Sequence, residues 1–229
     1  MHKIQNNILR TLLFKKELRF SELNTGNIPN DHFTFHLKRL IEQDLIEKNK
    51  EGLYRLTIAG KEYANRLNTD IEEVEIERQA KIGALIVCVD DFGKKRKYLV
   101  QQRLKQPYYG FYGFITGKIK WGETIYEAAS REFKEETGLS AELYLAGIEH
   151  KMDYSKNGEF LEDKYFYIFK ATNPSGELLE SFEGGKNTWL SKEEIQKLPD
   201  LFDDILKIMD IIEKEKLIFS EEKYNVDRY

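Results

Sequence analysis

GKIKWGETIYEAASREFKEETGL, Gly117 to Leu139, decides how the rest of the chain is read. Its second half carries the marks of a helix. Thr124 followed three residues later by Glu127 is a capping box, in which side chains satisfy backbone N–H groups left open by the first turn. Gly138 stands where a left-handed residue would close the last turn. Between these caps Ile125, Ala128, Ala129 and Phe133 recur at helical spacing as a buried stripe. Glu132 and Glu136 lie one turn apart, with Glu135 beside them. Like charges this close repel, so a purely structural helix gains nothing by gathering three. A hard divalent cation reverses the sign: Mg²⁺ takes carboxylate oxygens, keeps several waters and completes its shell with substrate phosphates. The cluster therefore points to a Mg²⁺ site, with Mn²⁺ as an alternative ion. Arg131 and Glu123 are expected to pair and hold the incoming loop against the helix.

The spacing is Gly117, five residues, Glu123, seven residues, then Arg131, Glu132, Glu135, Glu136 and Gly138. At a usage of roughly 5–10% each, those identities coincide about once in 10⁸ starting points. The stretch resembles the Nudix box, with Phe133 where an aliphatic residue is usual. That resemblance implies an α/β/α sandwich with a mixed sheet, α+β in class. It also implies hydrolysis of a nucleoside diphosphate linked to another group, by attack of water on phosphorus. Carried over by position, the catalytic set is Glu132, Glu135 and Glu136. Glu132 and Glu136 would be the main metal ligands, Glu135 a further ligand or the base, and the backbone carbonyl near Gly117 a last donor. Glu123 and Arg131 would brace them. The base sometimes lies outside the box, and Glu159, Glu162, Asp163 and Glu183 are candidates for that role. Arg103 and Lys118 are candidate phosphate contacts. Tyr108, Tyr109, Phe111, Tyr112, Phe114 and Trp121 precede or begin the box, and one or two of them, Phe114 included, are candidates to stack a base.

Two departures matter. Ile115-Thr116-Gly117-Lys118 replaces the common Pro-Gly-Gly-Lys, which loosens the expectation for the loop but not for the carboxylates. Two substrate markers of the family are absent: Ser155 stands where some ADP-ribose hydrolases carry Pro, and Lys156-Asn157 where dinucleoside polyphosphate hydrolases carry Tyr. The sequence selects no substrate.

The 229 residues suffice for one large domain or two small ones, and a hydrophobic share of 41% with 33% charged residues describes a soluble, rather polar protein. No apolar run approaches the roughly 18 residues that span a bilayer, and MHKIQNNILR lacks the apolar core of a signal peptide. A cytoplasmic protein without membrane contact is expected. The single cysteine, Cys88, lies in IGALIVCV and is expected to be a buried strand residue. Charge is uneven: residues 1–68 carry 12 Lys and Arg against 8 Asp and Glu, net +4, leaving 24 against 32, net −8, for the remainder.

Two domains are expected, at 1–68 and 80–229, joined by an acidic linker at 69–79. The first shows helical spacing over 4–18, a short helix from Ser21 to Asn24 capped by Ser21, and a helix from Asn30 to Gln43 with Phe33, Leu37, Leu40 and Ile41 inward. Strands at Leu45–Lys48 and Leu53–Thr57 flank a turn at Asn49–Gly52, and a helix runs from Ile58 to about Leu67. This order, carried by HLKRLIEQDLIEK and GLYRLTIAGKEYA, resembles the winged helix-turn-helix of bacterial and archaeal regulators. The resemblance implies that His32, Thr34, Phe35, Lys38 and Arg39 face DNA bases, with Lys48 and Lys50 on the wing toward phosphates. His36 is expected to be a half-buried packing residue. DNA is thus a candidate partner, a nucleotide is the small-molecule partner, and a homodimer is expected.

The second domain should have strands at Ile82–Val89, Tyr98–Arg103, Glu142–His150, Lys164–Ala171 and Asn187–Leu190, with a turn at Asn173–Gly176. A capping box at Ser191 and Glu194 precedes an amphipathic closing helix over Leu201–Ile218. Two functions compete. One is a Mg²⁺-dependent pyrophosphohydrolase with a winged-helix module for DNA binding or dimerisation. The other is a transcription regulator that uses the Nudix domain as a sensor of a nucleotide sugar resembling ADP-ribose.

Overall fold

Ile8, Leu9 and Leu12 of α1 (Lys3–Leu13) recur at helical spacing and share one core with Phe33, Leu37 and Leu40 of α3 (Asn30–Glu42). The computed structural model describes residues 1–68, 76–92, 95–226 and 229 of the chain. They form two compact units, Met1–Arg78 and Gln79–Tyr229. In the first, α2 (Phe20–Leu23) separates α1 from α3, and an antiparallel hairpin, β1 (Ile46–Lys48) with β2 (Tyr54–Leu56), leads into α4 (Ile58–Ala64). Thr57 caps α4 through the Gly60 N–H. A Cβ on Gly60 would lie 1.7 Å from the Leu45 carbonyl oxygen, so only glycine lets α4 sit this close to the entry of β1.

Several local expectations are corrected. α1 ends at Leu13, and Leu18 instead exchanges backbone hydrogen bonds with Tyr54, at 3.0 and 2.8 Å, beside the hairpin. Arg19, not Ser21, caps α2, its N–H donating to Glu22 at 2.7 Å. Ile41 is 41% exposed and lies off the buried face of α3, whereas His36 is fully inside. Of the expected linker, residues 69–75 lie outside the described residues, and Ile76 bridges to Leu67.

The second unit is built on β3 (Lys81–Phe92). Its apolar run buries both faces, as a central strand of a layered fold must. Leu85, Val87 and Val89 share a core with Ile205, Ile208 and Met209 of α7 (Ile205–Ile211). Ala84, Ile86 and Cys88 point the other way, toward Ala129 and Phe133 of α5 (Ile125–Thr137). The sheet is mixed and runs β11-β7-β8-β3-β4-β10-β9. These strands are β4 (Lys95–Arg103), β7 (Leu139–Ser155), β8 (Phe160–Gly176), β9 (Ser181–Phe182), β10 (Gly185–Leu190) and β11 (Ile218–Val226), with β3–β8 and β7–β11 parallel. Two short strands, β5 (Tyr112–Gly113) and β6 (Ile115–Lys118), complete it.

The path divides at β3. Residues 83–86 pair with β6, and residues 89–92 pair with β4. A cavity lined by Gly83 and Leu85 of β3, Gln101 of β4 and Thr116 of β6 lies beside this divided strand.

The caps of α5 form as the sequence predicts: Thr124 and Glu127 exchange hydrogen bonds, and Gly138 adopts φ 73°. The box at Ser191 and Glu194 forms too, starting the short helix α6 (Lys192–Ile195). The closing helix differs. It is helical only over Ile205–Ile211, and the chain then becomes β11, parallel to β7 at the sheet edge. Strand β8 also runs through the expected turn to Gly176, absorbing it with Asn173 at φ 53° and Gly176 at φ 111°. Cys88 is buried, and burial, with the charge of Asp90, pushes its thiol up to about 12.

Beneath β11 lies an unusual carboxylate. Glu149 is wholly buried, with Lys207 at 3.6 Å and the Tyr224 hydroxyl at 3.4 Å, and its Oε2 has no hydrogen-bond partner among the described residues. Burial, then the negative charge of Asp204, pushes it up to about 7. Between its unfolded value and about 7 the native state keeps a proton that the unfolded chain has released, so stability falls as pH rises through that window. Glu149→Gln removes the charged form. We predict a melting temperature about 3 °C or more above wild type at pH 8, with little difference at pH 5; a large loss at pH 8 would mean that the charged pair stabilises the fold.

Candidate active site

Arg131 organises the approach to the site. Its Nε and Nη2 donate to the two oxygens of Glu123 at 2.6 and 2.9 Å, a bidentate clamp. Nη2 also donates to the Lys118 carbonyl at 3.1 Å, and Nη1 to Glu132 at 2.7 Å and Glu135 at 3.2 Å. Glu123 in turn accepts the Lys120 N–H at 2.9 Å. The loop between β6 and α5 is thus pinned to the helix, as expected of this pair. Hydrogen bonds from Arg131 and from the Lys120 backbone hold the Glu123 carboxyl down at about 2.

The three box carboxylates part company. Glu132 and Glu136 line one cavity of about 640 Å³, together with Gly117 and Lys118. Glu135 does not line it; its side chain is 57% exposed and turned toward Arg131. Among the described residues no three acidic, histidine or cysteine side chains form a group that could hold a metal ion. Two carboxylates and the Gly117 backbone remain, all hard oxygen donors. That is the set Mg²⁺ uses when it takes one or two carboxylates and leaves its other positions to water and phosphate. The donors fit the ion in kind.

Gly117 fits for a second reason. A Cβ there would lie 2.0 Å from Cγ and Cδ of Glu132, so only glycine allows the carboxylate to cross β6 into the cavity. Glu136 is buried and held from the sheet. Gln101 Nε2 of β4 donates to its Oε2 at 3.0 Å, and Lys105 approaches its Oε1 at 3.8 Å. Asn187 of β10, directly across from Gln101, donates to the Glu136 carbonyl at 2.7 Å and accepts from Gln101 at 3.3 Å. Burial raises the pKa of Glu136. Ion binding there must therefore displace protons as the pH falls.

The other candidates separate cleanly. Arg103 lines the cavity, but its guanidinium is spent on the loop, donating to the carbonyls of Lys105, Pro107 and Gln106 at 3.0, 2.6 and 3.3 Å. Lys118 is exposed at the rim, joined by Lys105 and Lys120, which sequence reasoning did not single out. Of the six aromatics only Tyr108 and Phe114 line the cavity; Trp121 is 94% exposed and outside it. Tyr108 holds φ 66°, a strained value for a bulky residue, and is fixed by a 2.5 Å hydrogen bond from its hydroxyl to Asp153.

Among the external base candidates, Glu159, Asp163 and Glu183 do not line the cavity; Asp163 instead pairs with His150 at 2.8 Å. Glu162 does line it. Burial opposes its charge, yet hydrogen bonds from Lys164 and Lys81 hold it down at about 2, where it is a poor base. The inner wall adds a buried Lys151–Asp204 pair at 2.5 Å, with Phe166, Phe202, Ile205 and Ile208 lining the same cavity. No sequence pattern flagged that pair. Gln101 and Asn187 had one weak signal: polar residues in strands otherwise bound for the core.

A model of the NUDIX domain matches residues 80–210. The chain belongs to the Nudix family. Its Nudix part resembles the ADP-ribose pyrophosphatase of Methanocaldococcus jannaschii, 29% identical over 111 residues, 48% of this chain and 64% of that protein. It also resembles the oxidized purine nucleoside triphosphate hydrolase of Danio rerio, 31% identical over 102 residues, 44% and 63% of the two chains. The match thus spans a little under two thirds of either relative. The MutT protein of Bacillus halodurans has the same Nudix fold, with a TM-score of 0.54 and 27% identity over 65% of this chain and 93% of that one. The N-terminal unit and β11 lie outside the matched Nudix residues.

Gly117→Ala drives a methyl group into Glu132. We predict Mn²⁺ affinity, read from the signal of the free ion by electron paramagnetic resonance, reduced at least ~tenfold with an unchanged far-ultraviolet spectrum. Undiminished affinity would remove Glu132 from the ion site.

Proposed function

We propose that the Nudix unit hydrolyses the pyrophosphate linkage of a nucleoside diphosphate derivative with Mg²⁺. The observation that carries this is the convergence of Glu132 and Glu136 on one cavity wall, beneath a rim of Lys105, Lys118 and Lys120. When bound, Mg²⁺ neutralises phosphate charge and lowers the pKa of a water molecule. Glu132 and Glu136 would hold it, with the Gly117 carbonyl as a further donor. Gln101 and Asn187 keep Glu136 aimed into the cavity, and Arg131 sets the direction of Glu132 while drawing Glu135 aside. The lysines offset the charge of the phosphates that the carboxylates would repel. Phe114, Phe166, Ile205 and Ile208 give the organic part of the substrate an apolar wall. A cavity of about 640 Å³ is in the range that encloses a small molecule.

The relatives point to ADP-ribose and to oxidised purine nucleoside triphosphates as the first compounds to offer, with nucleotide sugars and dinucleotides beside them. Under Mg²⁺ we expect fast cleavage of one panel member. Glu136→Gln and Glu132→Gln should each lower turnover at least ~100-fold, and Glu135→Gln less than ~tenfold. A larger loss in Glu135→Gln would make that carboxylate the essential one. Tight binding of a member without cleavage would favour a nucleotide sensor over an enzyme.

For the N-terminal unit we propose a winged-helix module that docks on duplex DNA through α3. Lys38 and Arg39 are exposed on that helix and Lys50 at the hairpin tip; among the described residues Arg39 is engaged by an exposed Glu42 at 3.4 Å, a weak tie. His32 is exposed, Thr34 half-buried, and Lys48 lies over the Tyr54 ring. Phe35, 56% exposed on the same helix, suits a second copy of the chain instead. Salt separates the two. DNA affinity of the full chain that falls steeply with salt, and is lost in Lys38→Ala, supports DNA docking. No DNA affinity, with twice the monomer mass in solution, would assign α3 to a homodimer.

A further inference from the structure

Three of the chain's four histidines gather in the N-terminal unit, far in sequence from the Nudix box. His32 and His36 stand one turn apart on α3, and His2 is the N-cap of α1. The Nε2 atoms of His32 and His36 face each other at 3.2 Å. The ring of His2 stacks on that of His36, with centroids 4.3 Å apart and planes at 22°.

We propose that His32 and His36 form a two-imidazole site for a transition-metal ion of the Zn²⁺ class, bound through both Nε2 atoms.

The bite is right for such an ion. Zinc–nitrogen bonds of about 2.0–2.1 Å at the tetrahedral angle place two ligand nitrogens about 3.3–3.4 Å apart, close to the separation already present. Imidazole nitrogen suits Zn²⁺, Cu²⁺ and Ni²⁺, whereas Mg²⁺ prefers oxygen, so this site and the carboxylate site sort ions by donor type. His36 is buried, which fixes the orientation of its ring. His32 is exposed and gives the ion a way in. His2 lies flat on His36 rather than aimed at the pair, so it shields the ligand ring while water or an outside donor fills the remaining positions. The site lies on the helix read above as the docking helix, yet it stands on geometry alone and does not depend on that role.

The test uses the full chain, titrated with Zn²⁺ by calorimetry in millimolar Mg²⁺ so that the oxygen site is occupied. Wild type and Glu136→Gln should bind one Zn²⁺ alike, while exposed-site His32→Gln weakens that binding at least ~tenfold at an unchanged melting temperature. Nitrogen-15 spectra should place the ion on Nε2 of both rings. Absence of Zn²⁺ binding, binding indifferent to His32→Gln, or binding lost in Glu136→Gln would each overturn the proposal and leave the rings as a packing pair.

Discussion

The guanidinium of Arg131 is the point on which the Nudix unit depends. A single side chain closes the loop of residues 118–123 by clamping Glu123 and the Lys118 carbonyl, and it also donates hydrogen bonds to two of the three helix carboxylates. Without it, Glu123, Glu132 and Glu135 would repel one another across a short turn. Planarity matters here: a guanidinium supplies five donors in a fixed fork, which an ammonium cannot imitate. The same contact explains the division of labour on α5. Glu135 is held at the surface, while Glu132 is turned over Gly117 and Glu136, one turn on, is buried against β4.

Strand β3 pairs with β6 along one half and with β4 along the other, and the cavity is lined by the β6-paired end of β3, by β6 and by the far end of β4. The carboxylates arrive on α5 from one side and the apolar wall on α7 from the other. Between them lies a band of buried charge, Lys151 with Asp204 and Lys164 with Asp153 and Glu162. Charges buried in this way cost several kcal/mol each unless paired, so the band fixes side chains around the cavity more than it stabilises the fold.

Much of this was legible in the sequence because it is local. The capping box at Thr124, the left-handed Gly138, the Arg131–Glu123 pair and the central apolar strand depend on neighbours within a few residues or on simple burial. What escaped was set at a distance. Gln101 and Asn187 acquire meaning only when β4 and β10 pair, and Lys151 meets Asp204 across 53 positions. The segment 212–226 shows why period alone misleads: its amphipathic start extends a helix on paper, yet the open edge of β7 captures it as a parallel strand. Glu135 was grouped with its neighbours by spacing, and a competing contact to Arg131 turned it away. In the N-terminal unit, spacing located the helices, but only the packing of α1 on α3 brings His2 over His36.

In the proposed site Glu132, Glu136 and the Gly117 carbonyl hold the ion while Arg131 keeps its grip on the loop. Anomalous diffraction from crystals soaked in Mn²⁺ tests it most directly. A peak within bonding distance of both carboxylates, with the Arg131–Glu123 clamp intact, is the expected result. A peak centred on Glu135, or an ion that displaces Arg131 from Glu123, would contradict it.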